Sequence, residues 1–157
     1  MRKLQKGDAM IKVKDVVFVQ TKGICEVLDI TKNAFDGCDK NKEYYVMSPV
    51  NSANNMKIYF PTDTKVNIRK LTSKTKTEEV FKNFKNLENI EVSSGEDQCE
   101  VFNQISQNGE LKDRARLLKT LLLKKSKLAK KQWGFQDQRL INLMLNCVVS
   151  EVSYVLS

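Results

Sequence analysis

The four cysteines are the residues in this chain best suited to metal binding or redox chemistry. They stand at Cys25, Cys38, Cys99 and Cys147, form no CxxC pair, and have no histidine to join them because the chain contains none. Structural zinc sites use closely spaced Cys and His ligands. The sequence therefore predicts no metal site and no cofactor, and reduced thiols are the expectation for a cytoplasmic protein.

Acidic and nucleophilic residues give no stronger sign of catalysis. Histidine, the commonest general base, is absent. Asp36, Asp39 and Glu43 lie close together in a turn-rich segment, but their spacing does not match a metal-binding loop. No glycine-rich phosphate loop and no nucleophile-elbow motif occurs in the sequence. We therefore expect a protein that is not an enzyme.

Positive charge is concentrated in one part of the chain, which has a formal net charge of +8. Residues 109–131 contain nine basic and two acidic residues, whereas residues 73–108 contain four basic and seven acidic ones. Surface helices usually mix the two signs, so this imbalance favours an anionic partner such as DNA, bound through its phosphates without sequence specificity. The predicted DNA-binding residues are Lys112, Arg114, Arg116, Lys119, Lys124, Lys125, Lys127, Lys130 and Lys131.

The first half of the chain has the pattern of a small β domain. Residues 1–9 are typical of a flexible tail. Five short runs rich in β-branched and aromatic residues follow, separated by turn-forming residues. They lie at Val13–Val19, Gly23–Ile30, Glu43–Met47, Met56–Phe60 and Lys65–Arg69. This succession predicts an antiparallel meander over residues 10–72 that curls into an SH3-like barrel.

The second half, residues 73–157, has helical periodicity, so the chain is predicted to be an α+β protein of two domains. Thr75 and Glu78 form a capping-box pattern at the first helix. The longest helix is predicted at about residues 111–131. The last helix, which begins near Gly134, is expected to be buried. Its most apolar stretch, Leu140–Val149, is shorter than the roughly 20 residues of a membrane span, so no transmembrane segment is predicted.

The single tryptophan, Trp133, allows two interpretations. An aromatic side chain beside a basic run can stack on bases or wedge between them. An apolar residue immediately before Gly134 can instead fix the start of the last helix onto the core. We favour the structural interpretation.

Several segments of the first half together resemble the CarD/CdnL family of bacterial transcription regulators and the related module of transcription-repair coupling factors. They are Ile11–Phe18, Lys22–Gly23, Val27–Ile30, Glu43–Met47 and Asn54–Pro61. The resemblance implies a Tudor-like domain that binds the β subunit of RNA polymerase through exposed strand residues. Pairing along a sheet edge makes such docking physically reasonable. The residues that fall on the polymerase-binding stretches are Lys32, Asn33, Lys57 and Tyr59.

The second half resembles the same family in its helix order and in its last helix, which carries Glu151. Family members have a tryptophan followed by arginines between the first two helices of this domain, and they insert it into the minor groove. The acidic segment Ser93–Gln98 stands at that place here. The wedge is therefore not carried over, and the acidic residues oppose the approach of phosphates.

These observations predict a bacterial transcription regulator that binds the RNA polymerase β subunit and contacts promoter DNA. They leave its oligomeric state open, with a monomer favoured. One alternative is a module that binds polymerase without touching DNA, which the missing wedge favours. A second is an RNA-binding protein, although the sequence lacks the clustered aromatic residues of a base-stacking platform.

Overall fold

The computed structural model describes residues 10–20, 22–51, 56–93, 95–128 and 133–157. The predicted tail, residues 1–9, lies outside them. The chain divides into two compact units, Met1–Leu71 and Thr72–Ser157. The described elements of the first unit are strands and those of the second are helices, so the chain is an α+β protein. The division lies where the sequence changes from the two-residue period of strands to a helical period.

The N-terminal unit contains a five-stranded antiparallel sheet in the order β4-β3-β2-β1-β5. Its strands are β1 (Val16–Val19), β2 (Gly23–Thr31), β3 (Tyr44–Pro49), β4 (Ile58–Pro61) and β5 (Ile68–Lys70). Among the described residues, no pairing joins β4 to β5, and the sheet is open. Closure into the expected barrel is therefore not confirmed, and β4 and β5 are the edge strands.

The first strand begins at Val16, later than the predicted Val13. Lys14 has a φ of 75°, in the left-handed region that non-glycine residues seldom occupy. The turn is closed by Asp15, whose N–H donates to the Lys12 carbonyl at 3.1 Å and whose carboxylate accepts from the Lys12 N–H at 2.8 Å. This turn prevents β1 from extending further towards the N-terminus.

Both faces of β1 are buried, which explains its continuous apolar run. Val17 and Val19 contribute to a core with Val27 and Met47 of the neighbouring strands. The buried residues of this core are Val17, Val19, Cys25, Val27, Met47 and Ile68. Phe18 points to the opposite face and is 1% exposed. The guanidinium of Arg69, on the adjacent β5, lies 4.9 Å from the centroid of the Phe18 ring.

A bulge interrupts the pairing of β2 with β3. Val27 pairs with Met47 and Asp29 pairs with Val46, so Leu28 is the extra residue on β2. Bulges bend a strand and increase its local twist. The second half of β2 therefore diverges from the line of its first half and leads into the loop of residues 32–43, called here the β2–β3 loop.

The C-terminal unit contains four described α-helices. They are α1 (Lys74–Lys82), α2 (Gln98–Asn108), α3 (Leu111–Lys127) and α4 (Phe135–Leu156), with a 3-10 turn at Phe84–Asn86. Ser73 caps α1, because its side chain accepts from the Lys76 N–H. The predicted capping box of Thr75 and Glu78 is therefore wrong by one half-turn of helix. Asp97 caps α2 by accepting from the Cys99 N–H at 2.9 Å.

Two expectations about the long helices are wrong. α3 ends at Lys127 and has 17 residues, whereas α4 has 22 and is the longer helix. α4 is not fully buried, because Leu143 and Val149 are 47% and 52% exposed. By length and composition alone, with a mean hydropathy of 1.3, α4 is long and apolar enough to cross a membrane. The stretch Leu140–Val149 is shorter than a membrane span, but the whole helix is not. The core helix of a soluble protein can meet the same criteria of length and composition.

The core of the helical domain lies around α3, which packs against α1, α2 and α4. Leu117 and Leu121 of α3 are 0% exposed and belong to one cluster with Ile141 and Met144 of α4. Trp133 packs against this cluster and is partly buried. That position agrees with its structural interpretation.

Two charged side chains are buried within the same domain, each about 1% exposed. Arg114 of α3 donates from Nη2 to the carbonyl of Ser106, near the end of α2, at 3.2 Å. Glu151 of α4 accepts from the Thr72 N–H at 3.0 Å, just before α1 begins. Arg114 thus ties α3 to α2, and Glu151 ties α4 to the first residue of the domain.

Replacement of Glu151 by alanine is expected to destabilise the helical domain by about 2 kcal/mol, because the Thr72 N–H loses its acceptor. Urea unfolding followed by the fluorescence of Trp133, the only tryptophan, measures this domain directly. Glu79→Ala, on the exposed side of α1, is the matched control and is expected to change stability by less than about 0.5 kcal/mol. Equal stability of the two variants would contradict the tying role of Glu151.

Candidate interaction surfaces

The edge strand β4 is the first candidate surface. It pairs with β3 on one side, with Tyr59 opposite Val46 and Phe60 opposite Tyr45. Beyond its other side the structure places no strand among the described residues. Ile58 and Phe60 pack against the sheet core, whereas Tyr59 is 36% exposed. β4 therefore offers unpaired backbone groups together with an accessible aromatic side chain.

The β2–β3 loop lies beside this edge and is held by its own hydrogen bonds. The Lys40 ammonium donates to Oδ1 of Asn33 at 3.1 Å, and the Asn33 N–H donates to the Thr31 hydroxyl at 3.1 Å. Tyr44, on β3, accepts from the Asp39 N–H through its hydroxyl at 3.3 Å. Gly37 has a φ of 86°, which the tight turn at that point requires.

Phe35 connects the loop to β4. Its ring centroid lies 5.2 Å from that of Tyr59 and 5.4 Å from that of Tyr44. Such tilted and edge-on arrangements are the favourable geometries for aromatic pairs. Phe35 is 41% exposed, so it covers part of the edge and is itself accessible. Phe35 thus places the β2–β3 loop, which also carries Asn33, beside Tyr59 of β4.

Lys32 and Lys57, the other two residues of the predicted polymerase-binding set, are both exposed. Lys32 is the first residue of the loop, and Lys57 immediately precedes β4. We call the combined surface of Lys32, Asn33, Phe35, Lys57 and Tyr59 the β4 edge surface. Sequence reasoning missed Phe35, whose only sign was an aromatic residue in an otherwise polar loop.

The loop also shields a thiol. Cys38 is 8% exposed and donates from Sγ to the Lys32 carbonyl at 3.3 Å. Hydrogen bonding with the Phe35 backbone, aided by the Lys40 ammonium, lowers the pKa of the Cys38 thiol. Burial raises the pKa of the Cys25 thiol in the sheet core. All four cysteines are free, and among the described residues no His, Cys, Asp or Glu cluster is able to hold a metal ion.

The basic helix α3 is the second candidate surface, and one of its predicted DNA contacts is wrong. Arg114 is 1% exposed and bound to the Ser106 carbonyl, so its guanidinium cannot reach a phosphate in this structure. The physical reason is its place on the apolar side of the helix. It lies three residues after Leu111 and four before Leu118, both of which are buried.

Several further cations of α3 bind within the domain. Arg116 donates to the carbonyls of Glu88 and Asn89 at 3.0 and 3.3 Å. The Lys119 ammonium donates to the Leu87 carbonyl. These side chains satisfy the segment that connects the 3-10 turn to α2. Part of the positive charge is therefore engaged by backbone carbonyl groups.

At the C-terminal end of α3 two lysines reach α4. Lys124 forms an ion pair with Asp137 at 3.1 Å, and Lys125 donates to Oε1 of Gln138 at 2.7 Å. Trp133 donates from Nε1 to the same oxygen at 2.9 Å and has the Lys125 ammonium 5.7 Å from its ring centroid. Trp133 is thus fixed by polar contacts as well as by packing.

Two lysines of α3, Lys112 and Lys127, remain available among the residues that the structure describes. Both are exposed and have no hydrogen bond or ion pair there. Lys130 and Lys131, also predicted to bind DNA, lie outside the described residues. Beside Arg116 an open groove of about 610 Å³ is lined by Glu88, Asn89 and Glu91. Its two carboxylates make it unsuited to a phosphate.

One protein-family model matches the N-terminal unit of the chain. The model of the CarD-like/TRCF RID domain matches residues 11–72. The N-terminal domain belongs to the CarD-like/TRCF RID family. The match covers the β domain and leaves residues 73–157 outside it. Comparison with curated proteins gives no match for this chain.

The presence of a CarD-like/TRCF RID domain in residues 11–72 implies an interaction with RNA polymerase. The matched residues contain all five strands of the sheet and the whole β4 edge surface. The helical domain, including the basic helix, is not part of this assignment.

Replacement of Arg114 by alanine is expected to cost about 3 kcal/mol of stability in the helical domain, because it leaves a cavity and removes the donor to the Ser106 carbonyl. Lys112→Ala, on the exposed side of the same helix, is expected to change stability by less than about 0.5 kcal/mol. Thermal or urea unfolding followed by Trp133 fluorescence distinguishes the two. An Arg114→Ala variant as stable as Lys112→Ala would contradict this structural role of Arg114.

Proposed function

We propose that this protein is a non-enzymatic transcription regulator of the cytoplasm that docks on the β subunit of RNA polymerase through its β4 edge surface. The single observation that carries the proposal is the accessible edge strand, with Tyr59 and Phe35 side by side, within an RID domain. The Tudor-like character of the domain is part of the same proposal.

The chemistry of the edge suits addition of a strand. An incoming extended segment pairs with the unpaired backbone groups of β4, which gives affinity without depending on its side chains. Tyr59 and Phe35 offer large apolar side chains with few rotatable bonds. Such residues often contribute much of the binding energy at protein–protein interfaces. Lys32 and Lys57 place positive charge at the margin, where it speeds association with an acidic surface.

Contact with promoter DNA is the finer part of the proposal, and it rests on fewer residues than the sequence predicted. Lys112 and Lys127 supply exposed positive charge among the described residues. Lys130 and Lys131 stay in the proposed set. Such contacts would hold phosphates and position the regulator upstream of the polymerase. Asp97, within the acidic segment that replaces the wedge of the family, serves as a helix cap.

The first test is a pull-down of the isolated β-subunit lobe by the full chain and by a Lys57→Glu, Tyr59→Ala double variant. Reversal of the positive charge at Lys57 and loss of the aromatic anchor at Tyr59 are expected to weaken capture by about tenfold or more. Phe35→Ala is expected to weaken it as well, because Tyr59 loses its packing partner.

Lys65→Glu is the control for this pull-down, since it makes the same charge change at an exposed residue outside the β4 edge surface. It is expected to leave capture unchanged. Failure of the wild-type chain to capture the lobe, with its fold intact, would overturn the docking proposal. Equal loss in the control and the double variant would assign the effect to net charge.

DNA contact is tested by measuring affinity for an upstream-fork duplex over a series of salt concentrations. Lys127→Ala is expected to reduce the slope of log K against log salt by about 0.9, the value for one released phosphate contact. Arg116→Ala is expected to leave the slope unchanged, because its guanidinium is engaged by the Glu88 and Asn89 carbonyls. An unchanged slope for Lys127→Ala would favour a module that binds polymerase without DNA, and preference for single-stranded RNA would favour an RNA-binding role.

A further inference from the structure

Phe135, the first residue of α4, is 78% exposed and is the most exposed aromatic residue in the part of the chain that the structure describes. A single exposed apolar residue is ordinary on a protein surface. Phe135 is distinguished by a cationic neighbour. Arg139 follows it by four residues and therefore lies beside it on the same side of the helix. Arg139 is exposed and forms no hydrogen bond or ion pair with the described residues.

The end of α3 brings further positive charge to the start of α4. Lys124 of α3 pairs with Asp137 of α4 at 3.1 Å, so the last turn of one helix lies against the first turn of the other. This pair also offsets the one carboxylate of residues 124–139, a range that contains six basic residues. Lys127, the last residue of α3, is exposed and makes no hydrogen bond or ion pair within the described ranges.

The segment around Phe135 is held in place by hydrogen bonds to the side chain of Gln138. Its Oε1 accepts from Nε1 of Trp133 at 2.9 Å and from the Lys125 ammonium at 2.7 Å. Its amide donates to Oδ1 of Asn142 at 3.1 Å. The backbone on both sides of Phe135 is therefore fixed to α3 and α4. A ring presented from such a site binds without the cost of first ordering the segment that carries it.

We propose that Phe135 stacks on an unpaired base of single-stranded DNA while Arg139 and Lys127 hold the neighbouring phosphates. We call these three residues the α3–α4 corner. The inference rests on the proposed DNA contact and adds two residues of α4 to it. Every base has a π face, so this stacking needs no particular sequence. Both faces of a base are covered in a duplex, so the α3–α4 corner is expected to prefer single strands.

The charge of the α3–α4 corner identifies this occupant. Single-stranded DNA combines exposed aromatic bases with closely spaced negative charges, which match an exposed ring beside two available cations. A neutral apolar partner would desolvate both cations without supplying an anion. Phe81 of α1 gives the contrast, since it is 64% exposed but lies one turn after Glu78, whose carboxylate repels phosphates. Exposure of an aromatic residue alone therefore does not define such a site.

Binding of the full chain to a thymidine oligodeoxynucleotide of about 15 residues tests the proposal, followed by the anisotropy of the labelled strand. Phe135→Ala is expected to weaken binding by about tenfold, the effect of losing one stacked base. Phe135→Leu is expected to behave in the same way, whereas the aromatic replacement Phe135→Tyr retains binding. Phe81→Ala, the matched control on α1, is expected to bind like the wild type.

The salt dependence of the same binding separates the ring from the cations. Arg139→Ala is expected to reduce the slope of log K against log salt by about 0.7, the value for one phosphate contact on a single strand. Phe135→Ala is expected to leave this slope unchanged, because it removes no charge.

An abasic strand with the same number of phosphates isolates the stacking contact. The wild type and Phe135→Ala are expected to bind this strand equally, because it offers no base to the ring. An equal loss of affinity for the abasic and thymidine strands in Phe135→Ala would contradict stacking.

The remaining outcomes distinguish this inference from the proposed function. Equal affinity of the wild type and Phe135→Ala for the thymidine strand, with salt-sensitive duplex binding retained, would overturn the α3–α4 corner and leave the DNA contact of α3 in place. Absence of binding to both strand and duplex would overturn the two together, with polymerase docking unaffected. Tighter binding of a uridine oligoribonucleotide than of the thymidine strand would also overturn the proposal, because it assigns the site to RNA.

Discussion

The helical domain depends on the burial of two charged side chains, Arg114 and Glu151. Removing a charge from water costs several kcal/mol unless hydrogen bonds or an opposite charge compensate for it. Arg114 is satisfied in part by the Ser106 carbonyl, and Glu151 in part by the Thr72 N–H. Both are therefore satisfied only when α2, α3, α4 and the start of the domain take their observed positions. Apolar packing stabilises the domain, but these directional contacts restrict how its helices are able to pack.

The same preference for internal contacts explains why fewer cations of α3 are available to a ligand than its composition indicates. The segment of residues 87–89 offers backbone carbonyls that no helix or strand satisfies, and Arg116 and Lys119 supply the donors. Such groups must find partners when they are withdrawn from water. The connection between α1 and α2 is thus held to α3 by cations. An excess of Lys and Arg on one helix is consequently insufficient to define a nucleic-acid surface.

Much of the fold was predictable because strand and helix periods are local properties of the sequence. The five described strands lie at or near their predicted positions, and the described helices α3 and α4 begin where they were predicted to begin. The spacing of Leu111, Arg114 and Leu118 also indicates that Arg114 is buried. Its positive charge favoured the prediction of an exposed DNA contact instead. Phe35 was not predictable in this way, because its packing on Tyr59 depends on tertiary contacts between a loop and a strand. The partial exposure of α4 likewise depends on which neighbours cover it.

Engagement of a cation by a carbonyl does not remove its charge. The net charge of +8 still creates a positive potential around the molecule, and that potential speeds encounters with nucleic acid or an acidic protein surface. Tight phosphate contact, however, requires an ammonium or guanidinium group that is not already bound within the protein. Among the described residues of α3, Lys112 and Lys127 meet that requirement. All the charged residues therefore contribute to long-range attraction, whereas the fold restricts the residues of α3 that can bind a ligand directly.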